Sequence, residues 1–105
     1  MAKIRLSRKA IADLDGIWDY TAQTWSEEQA VIYYRQIYGA IQGLNNLPVF
    51  LEKRYDVIKP GLFGLKVGHH IIFYKKGNNG SISVDRILHE RMDYQRQLYS
   101  NMQSL

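Results

Sequence analysis

The strongest constraint on this chain is a pair of apolar stripes at helical spacing with almost no linker between them. Ile11, Leu14, Trp18, Ala22 and Trp25 recur at intervals of three and four, and Ala30, Tyr34, Ile37, Ile41 and Leu44 resume the same rhythm. Between the stripes, Ser26-Glu27-Glu28-Gln29 has the form of a capping box. The Ser26 hydroxyl serves the Gln29 amide and the Gln29 side chain reaches back. Asn45-Asn46-Leu47-Pro48 ends the second stripe, because the residue before a proline is disfavoured in helix. Two long amphipathic helices joined so tightly must fold back on each other as an antiparallel hairpin.

The rest of the chain reads as strands. Lys3 to Leu6 alternates, with Ile4 and Leu6 on one face, and Ser7 is placed to cap the helix that follows. Val49 to Leu62 has no clean period, and Lys59-Pro60-Gly61 marks a turn. Three apolar runs follow: Phe63 to Val67, His70 to Lys76, and Ser81 to His89. Gly68-His69 turns the first corner and Gly77-Asn78-Asn79-Gly80 the second, where glycine and asparagine tolerate positive φ. Strand parity puts Ile82, Val84 and Leu88 on a common face, with Arg86 emerging at its edge. Asp93 can cap a short C-terminal helix carrying Tyr94 and Leu98, and the charged tail from His89 onward is expected to add little core. The order β-α-α-β-β-β predicts an α+β fold: an N-terminal strand, then a helical hairpin packed on a twisted, mainly antiparallel sheet. All 105 residues fit one domain, 1–105, with no room expected for a second hydrophobic core.

Composition excludes several classes of function. Cysteine is absent, which removes disulfide scaffolds, zinc-thiolate sites and cysteine nucleophiles. No apolar run approaches the roughly 18 residues of a membrane span, and the N-terminus lacks a signal-peptide pattern, so a cytoplasmic protein is expected. The net charge of +4 is uneven. Residues 1–30 carry four basic and five acidic groups, and residues 31–105 carry ten and five. A basic half attracts nucleic acid or an acidic protein partner and speeds their encounter.

Few constellations suggest catalysis. His69 and His70 are adjacent, so on an extended chain they face opposite ways, and His89 belongs to another strand. Their spacing matches no zinc site, and neither metal nor cofactor is expected. There is no glycine-rich phosphate loop and no serine-hydrolase elbow. Tyr20, Tyr33 and Tyr38 are candidates for an amphipathic contact surface. The densest polar stretch is Asp85 to Asp93, where Arg86 either pairs with a carboxylate to close the sheet end or joins His89 and Arg91 in recognising anionic groups.

That stretch carries a family resemblance. Arg86-Ile87-Leu88-His89-Glu90-Arg91-Met92-Asp93 resembles the C-terminal signature of ParE-type toxins of bacterial toxin–antitoxin systems. Three further segments fit in the same order: Ala12 to Tyr20, Lys59 to Leu62, and Val67 to Tyr74. The resemblance covers nearly the whole chain and implies the RelE/ParE fold. It also implies one of two activities: inhibition of DNA gyrase without chemistry, or ribosome-dependent mRNA cleavage.

The nuclease branch uses a strand arginine for phosphorane charge, where this chain has His70, and a tyrosine near its last-strand histidine, where Glu90 follows His89. The resemblance therefore favours a gyrase inhibitor. Its inhibitory region would comprise Arg86, His89, Arg91, Met92 and Asp93, and a ParD-like antitoxin would bind through Trp18, Tyr33, Tyr38, Lys75 and Lys76 in a hetero-oligomer. A ribonuclease would instead rely on His89, His70 and Arg86.

Overall fold

In the computed structural model, residues 3–92 and 96–98 are described. Strand β1 (Ile4–Leu6) leads into helices α1 (Arg8–Thr24) and α2 (Glu27–Gln42). After two short 3-10 turns come β2 (Lys53–Arg54), β3 (Leu62–Val67), β4 (His70–Lys76) and β5 (Ile82–His89). The sheet order is β1-β5-β4-β3-β2, with β1 parallel to β5 and every other pair antiparallel. This is the expected α+β layering with one added strand. The two-residue β2 is too short to show alternation, and it pairs with Gly64 and Phe63 at the sheet edge.

Both helices take the expected serine caps, but the capping box is only half made, because the Ser26 amide donates to the Thr21 carbonyl at 3.3 Å rather than to Gln29. Ser7 Oγ accepts the Ala10 amide at 2.9 Å, and Ser26 Oγ accepts the Gln29 amide at 3.1 Å. Glu27 and Glu28 lie in the first turn of α2, where negative charge favours the helix dipole. In α2 the buried residues are Ala30, Ile37 and Ile41, as the spacing predicts. In α1 the buried set is Ala10, Leu14 and Ile17, so the expected stripe is rotated. Ala10, Leu14 and Ile17 make one stripe, displaced from the predicted one, which faces both the sheet and α2. Ile11 and Trp25 consequently face solvent, and Trp25 is 75% exposed.

The sheet carries apolar residues on both faces. Leu14, Ile17, Ile37, Ile41, Ile72, Tyr74, Ile82, Val84 and Ile87 form the core beneath the helices. On the opposite face, Leu62, Ile71, Phe73, Leu88 and Leu98 pack together, flanked by Tyr55 and Ile58. Leu98, in the short helical stretch 96–98, is only 2% exposed. Leu98 therefore does contribute core, contrary to the sequence expectation for the tail, because it packs on the second face of the sheet. Asp93 and Tyr94, expected at the start of that helix, lie outside the described residues.

The second departure is a bulge in β5. Tyr74 pairs with Val84 and Phe73 with Arg86, so Asp85 is inserted without a partner. One extra residue reverses the parity that follows. Ile87 joins Ile82 and Val84 under the helices, and Leu88 moves to the other face, away from the common face that alternation predicted.

Candidate functional site

The bulge is held from the N-terminal segment. Ser7 donates its hydroxyl to the Asp85 carbonyl at 2.6 Å while capping α1, and the Ser7 amide bonds the Val84 carbonyl at 3.0 Å. Nearly two helical turns further, Asp13 accepts from Arg86 Nε at 2.8 Å, Arg86 Nη2 at 2.9 Å and the Ile87 amide at 2.9 Å. The side chains are 12% exposed for Arg86 and 14% for Asp13. A bidentate guanidinium–carboxylate pair this sheltered fixes α1 on the sheet and leaves Arg86 little capacity for another anion. Of the two sequence readings of Arg86, the carboxylate-paired arrangement is the one present.

At the adjoining end of the sheet the three histidines gather. His70 and His89 are paired in register across β4 and β5, their rings 5.2 Å apart and edge-on, and His69 stacks on His89 at 6.2 Å. Sequence reasoning separated these residues because adjacent strand residues alternate faces. His69 lies in the turn rather than the strand, which frees its ring to swing over His89. Even so, no group of three or more His, Cys, Asp or Glu among the described residues is arranged to hold a metal ion.

Tyr33 of α2 ties this corner together. Its hydroxyl is 2.5 Å from His70 Nδ1 and 3.2 Å from the Val67 carbonyl, and it accepts the His69 amide at 3.1 Å. The ring lies against Gly68, whose φ of +59° suits glycine and where a Cβ would stand 2.6 Å from Tyr33 Cε1. Burial raises the Tyr33 pKa, the His69 amide opposes that rise, and Glu90 adds to it. Burial, reinforced by His89 and His69, pushes His70 down to about 4, against opposing effects of Asp13 and Glu90. His70 is therefore neutral at pH 7. Arg91 donates its amide to His89 Nδ1 at 3.1 Å, so in the neutral ring the proton sits on Nε2. Glu90 bonds Lys66 and His69 at 2.8 Å each, which together hold its carboxyl down to about 2.

Beside the histidines opens a groove of about 700 Å³ between the helical hairpin and the β4–β5 end. Tyr20, Trp25, Ile32, Tyr33, His89 and Met92 are among its lining residues, and no lysine or arginine among the described residues lines it. Tyr20, Trp25, Ile32 and Met92 are all exposed. The sequence reading put Trp25 on the apolar stripe of the first helix and gave no role to Ile32. Helical spacing identifies apolar residues on a face without showing whether anything covers that face.

The expected antitoxin-binding residues divide among three places. Tyr33 lines the groove. Trp18 packs edge-on against Tyr34, which stacks on Tyr38 at 6.1 Å, forming an aromatic ladder along the hairpin. Lys75 and Lys76 end β4, away from the histidine corner. Lys76 bonds buried Glu52 at 2.7 Å, and burial beside Lys59 lowers the Lys75 pKa. Of the expected inhibitory residues, Arg86 is engaged by Asp13, His89 and Met92 line the groove, and Arg91 is exposed beside them. Asp93 is outside the described residues.

The architecture is that of small bacterial toxins solved with their antitoxins. The chain aligns with a structure described as the chromosomal ParDE toxin–antitoxin system from P. aeruginosa at a TM-score of 0.69, with 24% identity. That match covers 85% of this chain and 96% of the other. The YoeB–YefM complex from Staphylococcus aureus aligns at a TM-score of 0.58 with 13% identity, covering 85% and 97%. Sequence then narrows the class. The model for the ParE toxin of the type II toxin–antitoxin system parDE matches residues 4–94, and the chain belongs to that family. It is 40% identical to Toxin ParE1 of Mycobacterium tuberculosis (strain H37Rv) and 34% identical to Toxin ParE1 of Caulobacter vibrioides. Each alignment spans 93 residues, 89% of this chain and 94% of the relative.

Proposed function

We propose that this ParE-family toxin inhibits DNA gyrase without performing chemistry, acts in the cytoplasm, and is neutralised by a ParD-like antitoxin bound in the groove. The observation that carries the reading is that no lysine or arginine among the described residues lines the groove. RNA cleavage needs positive charge for the phosphate backbone and for the phosphorane that forms in the transition state. Here Arg86 is committed to Asp13, Lys66 to Glu90, and His70 is neutral at pH 7. An apolar trough with exposed Tyr20, Trp25 and Ile32 instead suits the apolar face of an amphipathic helix.

On this reading the inhibitory surface comprises His89, Arg91, Met92 and Asp93, with Arg86, engaged by Asp13, positioning the strand that carries it. His89 and Met92 also line the groove, so an antitoxin seated there blocks access to gyrase. The test adds purified protein to a gyrase supercoiling assay and, separately, to cell-free translation. Blocked supercoiling with intact mRNA is expected. Specific mRNA cleavage with normal supercoiling would overturn the reading in favour of an endoribonuclease using His89, His70 and Arg86.

A further inference from the structure

At the sheet end remote from the histidines, the chain displays three consecutive apolar side chains. Val49 is 80% exposed and Phe50 84%, and Leu51 beside them is half exposed. Leaving such side chains in water forgoes the gain of burying them, so a contiguous exposed set marks an interaction surface. The segment is not a loose loop. It is one turn of 3-10 helix opened by Pro48, closed by the Leu51 amide on the Pro48 carbonyl at 3.0 Å and the Glu52 amide on the Val49 carbonyl at 3.1 Å. Glu52 then anchors the turn: its carboxylate, 3% exposed, accepts from the Tyr74 hydroxyl and from Lys76. The fold thus holds Val49 and Phe50 outward from a fixed base.

The charge around this turn selects the kind of partner. Lys53 and Arg54 of edge strand β2 follow it directly, and Lys76 reaches Glu52 beneath it. Of these three exposed cations, Arg54 is bonded to Asp56 at 2.9 Å and Lys76 to Glu52 at 2.7 Å, which leaves a single excess positive charge, at Lys53, on the rim. Glu52 faces inward. A second copy meeting this edge about a two-fold axis would set Lys53 and Arg54 against their own counterparts, which is repulsive. The complementary surface is an acidic one with an apolar pocket for Phe50. β2 pairs with Phe63 and Gly64, towards the opposite end of β3 from the Val67–His70 turn, and neither Val49 nor Phe50 lines the groove.

We propose that Val49, Phe50 and Leu51, rimmed by Lys53, Arg54 and Lys76, dock the toxin's protein target through an acidic, apolar-pocketed surface that the antitoxin leaves free. This rests on the reading above, in which the target is gyrase and its other contact is the His89 corner. Two anchors at opposite ends of the sheet would give the toxin a hold that antitoxin weakens from one end only.

The experiment compares the full chain with a Val49→Ser/Phe50→Ser variant and a Lys53→Glu/Arg54→Glu variant. It measures supercoiling inhibition, gyrase affinity against salt, affinity for a ParD-type antitoxin, sedimentation and thermal melting. The serine variant should lose about tenfold or more of its gyrase affinity, as buried aromatic anchors do, with melting and antitoxin affinity unchanged. The charge-reversed variant leaves the turn intact and should associate more slowly, with a flatter salt dependence. Undiminished inhibition by both variants, beside an active parent, overturns the second anchor and leaves the proposed function standing. A parent that never inhibits gyrase removes the function and this anchor together. Loss of antitoxin affinity, or loss of a self-association shown by the parent, would reassign the turn and overturn the proposal.

Discussion

Replacing Asp13 by alanine tests how the site is assembled. Asp13 receives three hydrogen bonds, two from the Arg86 guanidinium and one from the Ile87 amide, at 2.8–2.9 Å. With both side chains nearly covered, the alanine variant strands a charge where water reaches poorly. Removing one partner of such a pair costs about 3–5 kcal/mol, and the orphaned amide alone would account for roughly 1–3 of that. We expect about 4 kcal/mol, a large share of the roughly 5–15 kcal/mol that stabilises a small domain. Urea denaturation of the parent, Asp13→Ala, Arg86→Met and the double variant forms a closed cycle. Because Arg86→Met removes the charge that Asp13→Ala strands, the double variant should be less destabilised than the two singles added, by about 2 kcal/mol. A loss below about 1 kcal/mol for Asp13→Ala, or full additivity in the cycle, would refute the claim that this pair holds α1 on the bulged strand.

Other expectations follow from the same contacts. Gly68→Ala forces positive φ on alanine and drives its Cβ into Tyr33, so we expect a loss of about 2–3 kcal/mol and a melting temperature lower by on the order of 10 °C. Truncation after Leu88 removes Leu98 from the second face, and Leu98→Ala alone should cost about 2–5 kcal/mol in denaturant titration. The truncated chain is therefore expected to unfold rather than persist as a folded, inactive form. His70, with its pKa depressed from 6.5 to about 4, binds a proton in the unfolded state that the folded state refuses. Stability should fall as pH drops through that window, and His70→Gln should flatten the melting-versus-pH curve there. Trp25→Ala should weaken antitoxin binding by about tenfold at both low and high salt, because the lost contact is apolar and unscreened. A loss seen only at low salt would place that contact among ion pairs instead.

The helical hairpin was legible because its signals are local. Three-and-four spacing and Ser7 and Ser26 at the helix starts all act within a few residues, although α2 ends at Gln42, short of the stop expected at Asn45–Pro48. The turns at Gly68 and Gly77–Gly80 were legible for the same reason, since Gly68, Asn79 and Gly80 take the positive φ that their residue types allow. What escaped was set by distance along the chain. Asp13 and Arg86 are 73 residues apart, and parity could place Arg86 at an apolar edge without choosing its carboxylate. The histidine corner depends on the register that sets His70 opposite His89, which no local pattern specifies. Trp25 was misplaced because an apolar residue on a helix face is the same letter whether its face is covered or bare.

The bulge at Asp85 shows how one residue separates pattern from site. Alternation from Ile82 to Val84 is correct, and carrying it onward puts Leu88 with the helices and leaves Ile87 outside. The inserted residue exchanges them, which brings the Ile87 amide within 2.9 Å of Asp13 and turns Leu88 towards Leu98. Nothing in the letters of β5 announces this, because aspartate, unlike glycine or proline, is not a strong local breaker. The cause lies at the other end of the chain, where Ser7 bonds the Asp85 carbonyl and the Val84 carbonyl while capping α1. The start of α1 therefore fixes where the extra residue of β5 is stored. That choice in turn sets which side chains after Asp85 face the groove and which close the second core.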